Sequence, residues 1–175
     1  MARPWIRPGA RVLDIGCFQG ELLESLGDRI GPSFGYDPLT EPREAPRYRL
    51  VREMFREPMP HAGETFDAVV MLATLEHIVD KAPLARECFR LLSPGGRLII
   101  TVPSPLVDSI IDLLQRFRLA DGMSVEEHHG YDPRSTPQIF GEHGFELERR
   151  KRFQAGLNYL FVLKKPEAAS SLVLN

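Results

Sequence analysis

The stretch VLDIGCFQG, residues 12–20, carries an apolar run into an acid and then into a loop bounded by Gly16 and Gly20. Val12, Leu13 and Ile15 around Asp14 predict a strand buried on both faces. Gly16, at its carboxyl end, allows a sharp turn and lets a ligand approach the backbone. Gly20 opens a short helix whose first amides can face an anion or carboxylate. A dinucleotide loop needs G-x-G-x-x-G, whereas this one offers G-C-F-Q-G, and Phe18 at its centre leaves less room for a pyrophosphate. No Gly-Lys-Ser/Thr follows, which excludes a Walker-type phosphate loop. Taken alone, the loop fits either a structural strand-to-helix turn or a site for a smaller ligand bearing a carboxylate and no phosphate.

Outward from this stretch, apolar runs alternate with helical patterns, which predicts a mostly parallel α/β sheet with helices on both faces. Strands are expected at residues 33–37, 47–52, 66–72 and 96–103, with a helix begun by Asp80 and ended by Gly95 and Gly96. Between the second and third strands, PLTEPREAP (38–46) has three prolines in nine residues, so no crossover helix is expected there. An amphipathic helix is expected at 105–117, a short one at 136–145, and a final pair of strands at 146–153 and 158–165. Only QAGL joins that pair, so it must be an antiparallel hairpin. The expected whole is one domain over 1–165, seven-stranded, with a substrate-side insert at 105–135 and a frayed tail at 166–175.

Composition narrows the class. The chain has 175 residues, 43% hydrophobic and 26% charged, with a net charge of −2. That balance argues against a nucleic-acid protein relying on broad phosphate neutralisation. No apolar run approaches the ~20 residues that span a bilayer. No secretory h-region opens the sequence, and Cys17 and Cys88 form no redox or metal spacing; a cytoplasmic protein without a metal is expected. The basic run RRKR (149–152) reads as an exposed strand edge or solvated face. His61 and His143 read as surface or loop residues.

Asp37 ends the second strand, 21 residues after Gly16, where a carboxylate reaches the vicinal hydroxyls of a ribose. With Pro38 behind it, Asp37 can equally cap a turn. VLDIGCFQG, GYDP, ETFDAVVMLATLEHIVD and LLSPGGRLIITVPSP, in this order, are together similar to the class I S-adenosylmethionine-dependent methyltransferases, in particular the small-molecule type 11/12 branch. The resemblance runs from about residue 10 to 104 and continues loosely to the final hairpin. It implies a Rossmann-like fold, S-adenosylmethionine as cofactor and a small-molecule methyl acceptor, with no nucleic-acid or membrane partner.

By that resemblance Asp14, Gly16, Cys17 and Gly20 hold the methionine end of the cofactor, and Asp37, with Pro38, the ribose. Leu72 and Ala73 wall the methionine moiety, and the stretch around Glu53, Met54 and Phe55 forms the adenine pocket. Phe18 departs from the family's usual middle glycine. The lead before the first strand is short, so the insert or a second subunit in a homodimer is left to cover the cofactor. Methyl transfer needs a base only when the acceptor must lose a proton. His77, His129 and Tyr131 are the candidates, His77 being equally readable as a cap or packing residue. Cys17 reads as a small lining residue, since no base stands near it in sequence. A catalytically silent cofactor-binding module is the alternative; a nicotinamide enzyme is opposed by the missing fingerprint and by the terminal hairpin.

Overall fold

The computed structural model describes residues 1–61, 63–104 and 131–168. Eight strands form one sheet in the order β3-β4-β2-β1-β5-β6-β8-β7. They are β1 (Val12–Ile15), β2 (Ser33–Tyr36), β3 (Arg43–Glu44), β4 (Tyr48–Val51), β5 (Phe66–Leu72), β6 (Leu92–Pro103), β7 (Glu146–Phe153) and β8 (Asn158–Lys164). The central five, β4, β2, β1, β5 and β6, run parallel, while β8 pairs antiparallel with β6 and β7 with β8. The expected architecture is therefore present, with one strand added: the proline-rich connector holds no helix but contributes β3, antiparallel to β4 at the sheet edge. Prolines at 38, 42 and 46 forbid a helix, yet leave Arg43 and Glu44 free to donate to a ladder.

Side-chain alternation splits the core between two faces. Leu13, Val69, Met71, Leu98, Ile100, Tyr159 and Phe161 join helix α2 (Lys81–Leu91) and helix α3 (Thr136–Gly141) through Leu84, Cys88 and Phe140. Val12, Ala68, Val70, Ile99, Leu160 and Val162 face helix α1 (Glu21–Leu26) and the N-terminal Ala2 and Ile6. Strands covered on both faces must be apolar at every position, which is why β1 and β5 read as continuous hydrophobic runs.

Asp80 caps α2 as expected, its carboxylate accepting from the Ala82 amide at 3.1 Å. The helix ends at Leu91, four residues before Gly95, and β6 begins at once with Leu92. Pro94 explains the early stop: it cannot continue the helix and pushes Ser93 toward extended geometry, leaving Gly95, at φ +75°, to make the bend. His61 is corrected more sharply. It is buried, not at the surface, with Nε2 3.0 Å from the Tyr36 hydroxyl and its ring edge-on to Phe34, Tyr36 and Phe66. An aromatic pocket between β2 and β5 offers it both apolar contact and a polar partner; burial lowers its pKa below the usual histidine value. His143 is half-buried just beyond α3. The helix expected at 105–117, His128, His129 and the end of the tail lie outside the described residues.

The loop between β4 and β5 is pinned to α2 by Glu87. Its buried carboxylate accepts the Met59 amide at 2.7 Å and both Nε and Nη2 of Arg90, at 2.8 and 2.6 Å. Burial alone would raise the Glu87 pKa, but the bonds from Arg90 and Met59 outweigh it and hold it low. Replacing Glu87 by Ala strands the Met59 amide and frees the loop, and should cost about 2 kcal/mol. Urea unfolding of Glu87→Ala against the parent checks this; a loss below half that size would mean the loop is held by other contacts.

Candidate functional site

The strand order reverses at β1: β2 and β4 lie to one side, β5 and β6 to the other. Parallel sheets bind ligands in the crevice outside the carboxyl ends at such a switch point. Here the loops after β1 and β5 touch. Gly16 has φ +76°, and a Cβ built on it would stand 2.2 Å from the Thr74 hydroxyl oxygen. Any side chain at 16 would force the two loops apart, so glycine is required by both conformation and space. Thr74 was not singled out from sequence, although its place just beyond a buried strand is where such contacts fall.

Gly20 is the second fixed point, with φ +83° and Leu50 of β4 where its Cβ would be. Between them, Phe18 keeps the left-handed backbone that glycine would supply, at φ 45°. That conformation costs a residue with a side chain about 1–2 kcal/mol. The loop holds it because Asp37 reaches across: its Oδ2 accepts the Phe18 amide at 3.0 Å while Oδ1 accepts the Leu39 amide at 2.8 Å. Asp37 thus caps a turn and clamps the loop at once, and each carboxylate oxygen retains a lone pair for a further donor.

Asp14 lies buried beneath this loop, at 3% exposure. Burial, followed by the charges of Glu21 and Asp37, pushes its carboxyl up to about 7. Ionising Asp14 is therefore unfavourable until positive charge arrives. Cys17 is buried and packed on Gly35, and its thiol is pushed up to about 12 by burial and then by Asp14 and Asp37. With its thiol held protonated, Cys17 is a poor nucleophile.

On the β4 side the crevice is rimmed by apolar side chains left in solvent, Phe18, Leu39 and Met54, with Pro38 beside them. On the β5 side Leu72 is half-buried and Ala73 exposed, the latter at φ 53° with its amide held by the Thr101 carbonyl at 2.9 Å. His77 ends the short helical turn Leu75–His77, exposed, with its amide on the Thr74 carbonyl. One turn thus separates it from the Gly16 contact. Tyr131 is placed differently. Its hydroxyl is 2.5 Å from Thr136 Oγ1, the Lys81 ammonium lies 4.2 Å from its ring centre, and burial pushes the phenol up to about 12. The Tyr131 phenol therefore stays protonated near neutral pH. His129 lies outside the described residues. Among the described residues no group of three potential ligands could hold a metal, and no helix is long and apolar enough to cross a membrane.

A family model described as a methyltransferase domain matches residues 1–149. The ubiquinone biosynthesis O-methyltransferase of Psychrobacter cryohalolentis is 27% identical over 183 residues, covering 95% of this chain and 69% of that protein. Its counterpart from Pseudomonas fluorescens is 35% identical over 105 residues, 53% of this chain, so the match spans only 44% of that relative's length. Among solved structures, an S-adenosylmethionine-dependent methyltransferase from Methanosarcina mazei superposes with a TM-score of 0.67 at 18% identity, over 95% of this chain and 97% of the other. The chain belongs to the methyltransferase-domain family, whose class I members take their methyl group from S-adenosylmethionine.

Proposed function

We propose that the chain binds S-adenosylmethionine across the Gly16–Gly20 loop and transfers its methyl group to an oxygen of a small-molecule acceptor. The observation that carries this is the acidic crevice at the switch point, glycine-turned on one wall and apolar on its outer rim. S-adenosylmethionine brings an ammonium and a sulfonium, the positive charges that Asp14 lacks. Asp37 offers its remaining lone pairs to the ribose hydroxyls, with Pro38 fixing the chain behind it. Met54, Leu39 and Phe18 flank the adenine. Backbone at Gly16, Cys17 and Gly20 receives the methionine end, and Leu72 and Ala73 form the facing wall. The names of the Psychrobacter and Pseudomonas relatives, ubiquinone biosynthesis O-methyltransferases, support oxygen as the receiving atom, and favour turnover over a silent binding module.

The sulfonium activates its own methyl group, so the chain chiefly aligns the acceptor in line with the methyl–sulfur bond, an effect that can remove up to ~7–11 kcal/mol of barrier. A hydroxyl acceptor also gives up a proton. His77 stands on the β5 side of the crevice to take it, with His129 of the insert as the second candidate.

Two outcomes test this reading. Calorimetric titration should give micromolar binding of S-adenosylmethionine and S-adenosylhomocysteine and none of NAD. Asp37→Ala should weaken both by at least tenfold, about 1.4 kcal/mol; an unchanged dissociation constant rejects the ribose assignment. The second outcome concerns pH. The Asp14 carboxyl has a folded pKa of about 7 against 3.8 unfolded, so it favours the folded state fully below the unfolded value. That contribution is lost as pH rises toward 7. A cationic ligand prefers the ionised form, so its binding should release a proton and tighten up to about tenfold per pH unit below ~7, levelling off above. In Asp14→Asn the profile should be flat; a slope that survives the substitution places the titrating group elsewhere.

A further inference from the structure

The outermost strand, β7, carries Arg149, Arg150, Lys151 and Arg152 in sequence, all exposed. Among the described residues none of the four forms an ion pair, whereas the neighbouring Glu148 is held by Arg97 in two bonds, at 2.7 and 2.9 Å. Cations on a sheet edge usually do no more than block unwanted strand pairing. Arg149 and Lys151 fit that role, because the register turns them to the α1 face. Arg150 and Arg152 do not. They turn to the other face, opposite Phe161 and Tyr159, two rings that are almost wholly buried.

The contacts there are specific. The Arg152 Nη2 donates to the Tyr159 hydroxyl at 2.5 Å, and its guanidinium carbon lies 4.9 Å from that ring's centre. Arg150 lies 5.1 Å from the Tyr159 ring and 5.8 Å from that of Phe161, and the two rings stack at 5.8 Å. The bond from Arg152 pulls the Tyr159 phenol below its usual pKa against the opposing effect of burial, and Arg150 adds to it. Arg134 joins the group, paired at 3.0 Å with Asp132, the one carboxylate found beside it among the described residues. Three guanidinium groups thus meet one carboxylate. Arginines stacked on aromatic faces are oriented in advance and keep outward N–H donors for a planar anion.

Position adds the rest. Tyr159 pairs with Val102, one residue before β6 ends, so the cluster lies at the carboxyl rim where ligands bind. It sits on the half of the sheet away from the cofactor loop, with β6 alone between β5 and β8. Two strand spacings, roughly 10 Å, separate the wall at Ala73 from this rim. One substituted aromatic ring and the reach of an arginine cover that distance. We propose that Arg150 and Arg152, seated on Tyr159 and Phe161, bind a carboxylate carried by the methyl acceptor; this rests on the methyl-transfer reading above. The chain thereby selects acidic acceptors over neutral ones.

The test compares 3,4-dihydroxybenzoate with catechol, which differ by the carboxylate, titrated calorimetrically into the full chain with and without S-adenosylhomocysteine. The benzoate should bind at least tenfold tighter. In Arg150→Gln/Arg152→Gln that preference should vanish while S-adenosylhomocysteine binding stays unchanged. Arg150→Lys/Arg152→Lys keeps the edge charge, and so the protection of the strand, but removes the planar forks; it should lose most of the preference. Equal affinity for both rings, binding of neither, or a preference that survives both double variants overturns the proposal. If S-adenosylhomocysteine fails to bind while the benzoate preference stands and responds to the variants, the methyl-transfer reading falls and the carboxylate site remains.

Discussion

The whole site hangs on one close approach, between Gly16 after β1 and Thr74 after β5. With 2.2 Å between the Thr74 hydroxyl oxygen and the place of an absent Cβ, the two loops can meet only if residue 16 is glycine. The contact lies at the point where the sheet order reverses. From it the rest follows. Gly16 sends the chain over Asp14, the loop needs Asp37 to hold Phe18 in a left-handed conformation, and Thr74 starts the turn that ends at His77. Moving Thr74 outward would part the loops after β1 and β5, so the geometry at the switch point depends on this packing contact.

Charge is distributed along the sheet as deliberately as shape. At the Gly16–Gly20 loop, burial and the nearby charges of Glu21 and Asp37 raise the cost of ionising Asp14. At the far edge, Arg150 and Arg152 lie over two buried rings, and Arg134 pairs with Asp132. A net charge of −2 averages the two ends away. Whole-chain composition argues against reliance on broad phosphate neutralisation, yet is silent on a site needing only two or three guanidinium groups. Fields act over about a Debye length, ~8–10 Å, so it is local grouping, not the total, that sets which ligand end settles where.

Strand positions were legible because burial on both faces leaves a signal in every residue. FDAVVML can be little else than a central strand, and β5 occupies those same seven positions. Helix ends were less legible: Gly95 and Gly96 looked like a stop, but Pro94 acts earlier through the residue before it. His61 was misplaced for a related reason. The loop HAGETF is polar, and nothing local reveals that Tyr36, 25 residues upstream, holds a hydroxyl ready for its ring. The glycine loop and the acid after β2 are legible by motif, while the Gly16–Thr74 contact and the clamp from Asp37 to Phe18 depend on which loops the topology brings together.

The Tyr159 cluster is the instructive case, since its ingredients stood in the sequence. A four-residue loop pairs Phe153 with Asn158, which sets Arg152 opposite Tyr159 and Arg150 opposite Phe161 by simple counting. RRKR treated as one run is a solvated edge. Divided by the period of a strand it is two pairs, one facing each side. Arg149 and Lys151 share their side with Leu160 and Val162 and guard the edge. Arg150 and Arg152 rest on aromatic rings that no edge-protecting role requires. A charge run on a strand therefore has two separate meanings, one per face. The pairing partner decides between them: cations opposite aliphatic residues keep other strands away, and cations seated on buried aromatics are held ready for an anion.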